Sequence, residues 1–216
     1  MKILIVGSEE RFSECKQKFA TDHEFVLAEG HANAKRLVAH VDVAFDFLIE
    51  RDVQQVSIYP DQLPVFFNTV RVTLQSLIAH RPAGMAFGFN GLPGFVNREY
   101  LEVCLVDGQR HEALEKLLHQ LDTKFEIVSD QIGMVTPRVI CMIINEAYLT
   151  AEEGTASRAD IDLAMKLGTN YPYGPFEWAQ RMGVREVHSL LVSLKNSIDS
   201  ERYTISELLR SEAEHS

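Results

Sequence analysis

An α/β domain built on a mostly parallel sheet, followed by an all-helical domain, is the fold class this sequence predicts. Three observations predict it. Over roughly the first 130 residues, short apolar strand-like runs alternate with helical stretches, the pattern of a parallel sheet with helical cover. Beyond that point every apolar pattern is helical. Glycine and proline then fall where helices should end and begin. The boundary is placed so that residues 1–130 form the α/β domain and residues 131–216 the helical one.

The elements follow in order. Residues 3–6 (ILIV) are the first strand, followed by a polar helix around "RFSECKQKFA" and a second strand at 24–29. A helix near "ANAKRLVAH" leads to a strand within 41–49, and "LPVFFNT" (63–69) is the next. A helix near "TLQSLIAH" precedes the strands "GMAFGF" (84–89) and "YLEVCLV" (100–106). Leu114, Leu117, Leu118 and Leu121 lie at helical spacing, and residues 125–128 close the sheet. "VICMIINEAYL" is apolar almost all round, which predicts a central buried helix with Pro137 in its first turn. Ser157 and Asp160 resemble a capping box before "RADIDLAMKL", which Gly168 should stop. Pro175 opens a helix that Gly183 closes; Val187, Leu190, Leu191, Leu194 and Ile198 mark the apolar face of the next, and "SELLRSEAEH" is the last.

Composition removes several function classes. Lys plus Arg total 21 against 31 Asp plus Glu, a net charge of −10, and no basic stripe with interleaved aromatics stands out. That argues against nucleic acid and against an anionic membrane surface as partners. Cys15, Cys104 and Cys141 are far apart with no C-x-x-C, which fits buried, reduced thiols in a cytoplasmic compartment. The apolar run at the N-terminus is too short for a signal peptide, no window is long enough for a membrane span, and no cluster has metal-ligand spacing.

The stretch "KILIVGSEERF" begins as the phosphate-binding turn of a dinucleotide-binding βαβ unit begins, with an apolar strand ending in Gly7. In G-x-G-x-x-G the second and third glycines let the backbone approach a diphosphate and let the helix close on the strand. Here those places hold Glu9 and Phe12. A carboxylate beside a diphosphate costs about 1 to 4 kcal/mol at dielectrics between bulk water and a protein surface. Glu29, at the end of the second strand and 22 residues after Gly7, stands where an acidic residue would bond a ribose hydroxyl; as an ordinary polar strand end it would do nothing of the kind.

"GTASRADIDLAMKLGTNYPYGPFEWAQRMG" (154–183) resembles the C-terminal helical domain of the 3-hydroxyacyl-CoA dehydrogenase family, which carries G-x-A-(S/T)-x-x-D-I-D-x-A-M-x-x-G-x-x-Y-P-x-G-P-F-E there. Asp130, Gly133 and Arg138 in "DQIGMVTPRV" resemble the family's D-x-x-G-F-x-x-N-R, and "RYTISELLR" resembles its tail motif. Upstream, "AGMAFGFNGLPG" (83–94) resembles A-G-x-H-F-F-N-P-x-P, and "YLEV" the L-V-E-V that follows it. The resemblance implies a shortened Rossmann-like domain and a helical domain like the C-terminal domain of 6-phosphogluconate dehydrogenase. It also implies a homodimer formed through that helical domain, and NAD-dependent oxidation of a 3-hydroxyacyl-CoA.

That chemistry needs a His base, a Glu to orient it, and a Ser and an Asn that position the substrate oxygen. The His falls at Ala86, or at Phe87 if the inserted residue is placed differently; the Ser falls at Val70 and the Asn at Pro137. Glu102 alone remains, an orienter with nothing to orient. Among the histidines, His80 and His111 read as solvated and His188 as packed at an interface. The leading expectation is therefore a dimeric family member that has lost dehydrogenase chemistry, no longer carries NAD, and binds or regulates in acyl-CoA metabolism. Its rivals are an active dehydrogenase with Glu102 as base, and a module that binds another small ligand near Asn90 and Glu102. In "YPYGPFEW" the aromatics are expected to seat helix on helix and at a dimer face.

Overall fold

The computed structural model describes residues 1–19, 22–81, 84–106, 108–197 and 202–216. Ile198 and Ala83, both named above, lie outside the described residues. The chain divides into two compact units, Met1–Met134 and Val135–Ser216.

The first unit is a seven-stranded sheet: β1 (Lys2–Val6), β2 (Glu24–Ala28), β3 (Val43–Asp46), β4 (Val65–Asn68), β5 (Ala86–Phe89), β6 (Tyr100–Cys104) and β7 (Lys124–Ile127). The order is β2-β1-β3-β4-β5-β6-β7; β6 runs antiparallel to β5, and every other pairing is parallel. Period-two alternation divides the strand residues between the faces. Ile3, Ile5, Phe45, Phe66, Phe87 and Phe89 form one core with Cys15 and Phe19 of α1 (Glu9–Lys18) and its C-terminus, and with the leucines of α4 (His111–Gln120). Phe45 stacks on Phe66 with ring centres 4.6 Å apart, and Phe66 meets Phe87 at 5.2 Å. These aromatic contacts run from strand to strand across the middle of the sheet.

Two shorter helices belong to this unit, α2 (His31–Leu37) and α3 (Leu74–Ile78). Asp130 serves α3: its carboxylate accepts the Leu74 and Gln75 backbone amides at 2.7 and 2.8 Å, supplementing the Thr73 cap. Nearby, Gly133, at φ +81°, donates its amide to the Val70 carbonyl at 2.7 Å. The strand expected within 41–49 ends at Asp46, and two 3-10 turns, Ile49–Arg51 and Val53–Ile58, follow it. The Asp46 carboxylate accepts the Leu48 amide at 2.8 Å, which turns the chain out of the strand.

The second unit holds α5 (Thr136–Glu152), α6 (Arg158–Thr169), α7 (Pro175–Met182), α8 (Val184–Ser197) and α9 (Glu207–Glu214). Pro137 sits in the first turn of α5, as its missing N–H allows. Two expectations need correction. Gly168 does not stop α6; the helix runs on to Thr169, and Asn170 ends it in the left-handed conformation at φ +55°. Nor is α5 buried all round. Ile140, Cys141, Ile144 and Tyr148 form its buried stripe, while Val139 on another stripe is 52% exposed within the unit.

The densest motif of the sequence is built from caps. Ser157 accepts the Asp160 amide at the start of α6. Asp162, one turn into α6, reaches the start of α7 and accepts the Phe176 and Glu177 amides at 2.8 and 3.2 Å. Glu177 turns back to accept the Gly174 amide at 3.0 Å and pairs with Lys166 at 2.5 Å. Position 174 has room only for glycine, because a Cβ there would stand 2.3 Å from the Asp162 carboxylate carbon. Phe176 packs on Tyr148 at 4.8 Å and Trp178 on Tyr171 at 5.3 Å, so the aromatics seat helix on helix. In α5, Asn145 clamps the tail, donating to the Thr204 carbonyl at 2.8 Å and accepting the Ser206 amide at 3.0 Å.

Two outcomes follow. Gly174→Ala must push Asp162 off the α7 amides, and urea unfolding of the full chain should show a loss of about 1–3 kcal/mol; wild-type stability would refute the cap. Cys15, Cys104 and Cys141 are free and fully buried, and burial next to the Asp130 carboxylate pushes the Cys104 thiol up to about 12. At pH 8 a thiol-reactive disulfide should therefore label none of the three in the native chain and all three in urea.

Candidate functional site

Ligands of open parallel sheets sit at the carboxyl ends of the strands, where the order reverses. Here the reversal falls at β1, flanked by β2 and β3. After β1 come Gly7 and the start of α1. A Cβ on Gly7 would lie 3.3 Å from Phe47 Cβ and 3.4 Å from Arg11 Cβ, so side chains already crowd this turn. Arg11 lies over the Phe47 ring at 5.3 Å and pairs with Glu14 at 3.2 Å. Phe12 meets Phe25 of β2 edge-on at 6.4 Å, a contact that fixes α1 on the sheet with a large ring where the motif has a glycine.

The start of α1 offers a diphosphate a poor reception. Glu9 and Glu10 are both exposed in its first turn. The Ser8 side chain and the Glu10 backbone amide bond the Glu10 carboxylate and hold its carboxyl below the ordinary value. The amide-rich helix end that would attract a diphosphate thus carries the chain's own negative charge. The residues at this turn do not fit NAD. Glu29 is exposed just after β2 and lies apart from that conflict.

Where β5 ends and β6 begins, the structure brings Asn90 and Glu102 together. The Asn90 backbone amide donates to the Glu102 carbonyl at 3.0 Å, and its side-chain amide donates to the Glu102 carboxylate at 3.2 Å. Glu102 does orient a side chain, but that side chain is a carboxamide, whose nitrogen donates and cannot accept a proton. Ala86 and Phe87 are buried in β5, Val70 is buried after β4, and Pro137 is buried in α5. None of the four carries a group that exchanges a proton.

His80 and His111 are exposed, His111 pairing with Glu115 at 3.1 Å, and His188 is half-buried. One histidine that the sequence did not single out has an acidic partner. His31, at the start of α2, places Nε2 2.8 Å from the Asp46 carboxylate, which is fully buried and also accepts from the Tyr59 hydroxyl at 2.8 Å. Burial, then the Asp46 charge, raise the Tyr59 phenol well above its usual value. Fifteen residues separate His31 from Asp46, and no spacing rule links them. Among the described residues, no group of three or more His, Cys, Asp or Glu could hold a metal ion, and no helix is long and apolar enough to cross a membrane.

Comparison with known proteins bears on both units. Residues 133–216 match the family model described as 3-hydroxyacyl-CoA dehydrogenase, C-terminal domain. The chain is 41% identical over 107 residues to 3-hydroxyadipyl-CoA dehydrogenase of Escherichia coli K12, a match covering 50% of this chain and 22% of that protein. It is 31% identical over 126 residues to 3-hydroxybutyryl-CoA dehydrogenase of Clostridioides difficile, covering 58% of this chain and 44% of the relative. Each match spans less than half of the relative's own length. The crystal structure of (S)-3-hydroxybutyryl-CoA dehydrogenase from Ralstonia eutropha shares the fold with a TM-score of 0.72 at 20% identity, over 97% of this chain and 92% of that one. By sequence the helical unit matches the C-terminal domain of the 3-hydroxyacyl-CoA dehydrogenase family, and the chain shares its fold with a solved 3-hydroxybutyryl-CoA dehydrogenase.

Proposed function

We propose that this family member has lost dehydrogenase chemistry and works as a homodimeric binding or regulatory protein for acyl-CoA thioesters. The observation that carries the reading is the Asn90–Glu102 pair: the carboxylate that would orient a base holds an amide. Oxidising a hydroxyl by hydride loss requires a group that takes the hydroxyl proton. Ala86, Phe87 and Asn90 cannot take it, and Val70 and Pro137 supply no hydroxyl or amide to place the oxygen. The start of α1, with its own carboxylates, supports the same reading for the cofactor. The thioester class comes from the relatives, whose names specify 3-hydroxyadipyl-CoA and 3-hydroxybutyryl-CoA.

The partner half of the proposal rests on the helical unit. A groove of about 780 Å³ is lined by Val139, Met142, Ile143, Ile161, Ala164 and Met165 of α5 and α6. Leu163 and Leu167 of α6 are 52% and 78% exposed within the unit. Apolar surface of this kind marks an interface, and a second copy of the chain is the proposed occupant.

NADH fluorescence titration should show no saturable binding at micromolar concentrations, and acetoacetyl-CoA should not be reduced at the nicotinamide absorbance; saturation or turnover would reject the reading. A thermal-shift series with acetoacetyl-CoA should show stabilisation growing with concentration. Gel filtration should give a dimer that Leu167→Glu converts to a monomer, and a wild-type monomer at micromolar concentration would reject the second copy.

A further inference from the structure

Two asparagines at the carboxyl ends of neighbouring parallel strands are oriented by consecutive backbone amides. Gly91 N–H donates to Asn68 Oδ1 at 3.0 Å, and Leu92 N–H donates to Asn90 Oδ1 at 3.3 Å. Only the oxygen of a carboxamide accepts, so each bond settles which way the amide is turned and where its NH2 group is not. Asn90 uses an N–H on Glu102. Asn68 has no such outlet: among the described residues its NH2 group has no hydrogen-bond partner, although the residue is only 4% exposed.

The arrangement is built rather than incidental. A Cβ on residue 91 would stand 2.8 Å from Asn68 Cγ and 2.9 Å from its Oδ1, so glycine is what lets this backbone amide reach the side chain. The next residue, Thr69, points its hydroxyl to Cys104 instead, at 3.6 Å, and is already engaged. The NH2 group stays open to solvent or a ligand, and a donor at the carboxyl end of a parallel strand sits where such folds receive ligands.

We propose that Asn68 is a carbonyl-binding residue, its NH2 group donating to the oxygen of a neutral ketone or thioester. An amide donor calls for an oxygen acceptor. A neutral carbonyl oxygen of this kind is what the thioester reading of the proposed function supplies. The assignment deepens the proposed function and rests on its thioester reading.

The test uses the full chain and a thioester free of CoA, S-acetoacetyl-N-acetylcysteamine. In wild type the side-chain 15N–1H2 pair of Asn68, assigned through correlation to its own Cβ and Cα, should shift saturably on titration. Asn68→Asp keeps an oxygen for Gly91 N–H but removes the donor, and should bind the probe at least tenfold more weakly with unchanged circular dichroism. If the probe stabilises the chain while the pair stays still and the variant binds equally well, the Asn68 assignment is overturned and the thioester reading stands. A shifting pair with no stabilisation by acetoacetyl-CoA upholds the carbonyl site and rejects the CoA reading. If neither thioester has any effect, water alone meets Asn68 and both fall. The wild-type titration decides the assignment even if the variant fails to fold.

Discussion

The start of a helix leaves backbone N–H groups without partners, and in this chain carboxylates from elsewhere in the sequence meet that need. Asp130 serves α3 from 56 residues away, and Asp162 serves α7 from a neighbouring helix. In each case the acid ties two elements together as well as ending one, because the amides it accepts belong to a different element from its own. The stretch "DIDLAMKLGTNYPYGPFE" is shaped by this need: Asp162, Gly174, Pro175 and Glu177 are parts of one cap. At α1 the same physics works against a ligand. Glu10 meets Ser8 and its own amide there, so the helix end is already answered by negative charge.

Packing explains how such a scaffold accommodates apolar residues at these positions. The positions that resemblance assigns to the His and the Ser hold Ala86 and Val70, both buried. Pro137 stands where an Asn would be and suits the first turn of α5. Each is a better neighbour for apolar side chains than the polar residue it stands for, since a buried polar group needs a partner to be tolerated. Phe12 follows the same rule, exchanging the close approach of a glycine for an edge-on contact with Phe25. The aromatic contacts that run from Phe45 to Phe66 to Phe87 need no polar group at these positions.

How much of this the sequence discloses depends on the range of the interaction. All seven strands were legible because runs such as residues 3–6 and 65–67 are continuous apolar segments that stop at Gly7 and at Asn68, and the helices of the second unit because 3.6-residue periodicity is local. Residues 49–58 were not legible, since the 3-10 turns there depend on Asp46 and Asp52 capping the chain just after a strand. Gly168 misled because glycine is a common stop, yet Asn170 can also take the left-handed conformation. The open stripe of α5 was hidden because apolar content alone does not say which stripe a unit covers. His31 with Asp46, and Asn68 with Gly91, are meetings between strand ends, and only the sheet order brings those residues together.

At the candidate site the distinction between donor and acceptor decides what remains possible. A histidine held by a carboxylate offers a donor on one nitrogen and an acceptor on the other; an asparagine held the same way keeps the donor and has no basic nitrogen. With Asn90 on Glu102, the hydrogen bond that organises the turn between β5 and β6 is present without a proton acceptor in it. Recognition of a carbonyl oxygen requires donors alone, whereas oxidation of the adjacent hydroxyl requires somewhere for its proton to go. The proposed site of Asn68, Asn90 and Glu102 would therefore bind a carbonyl oxygen without taking a proton, and its affinity should owe little to the pH at which an imidazole would titrate.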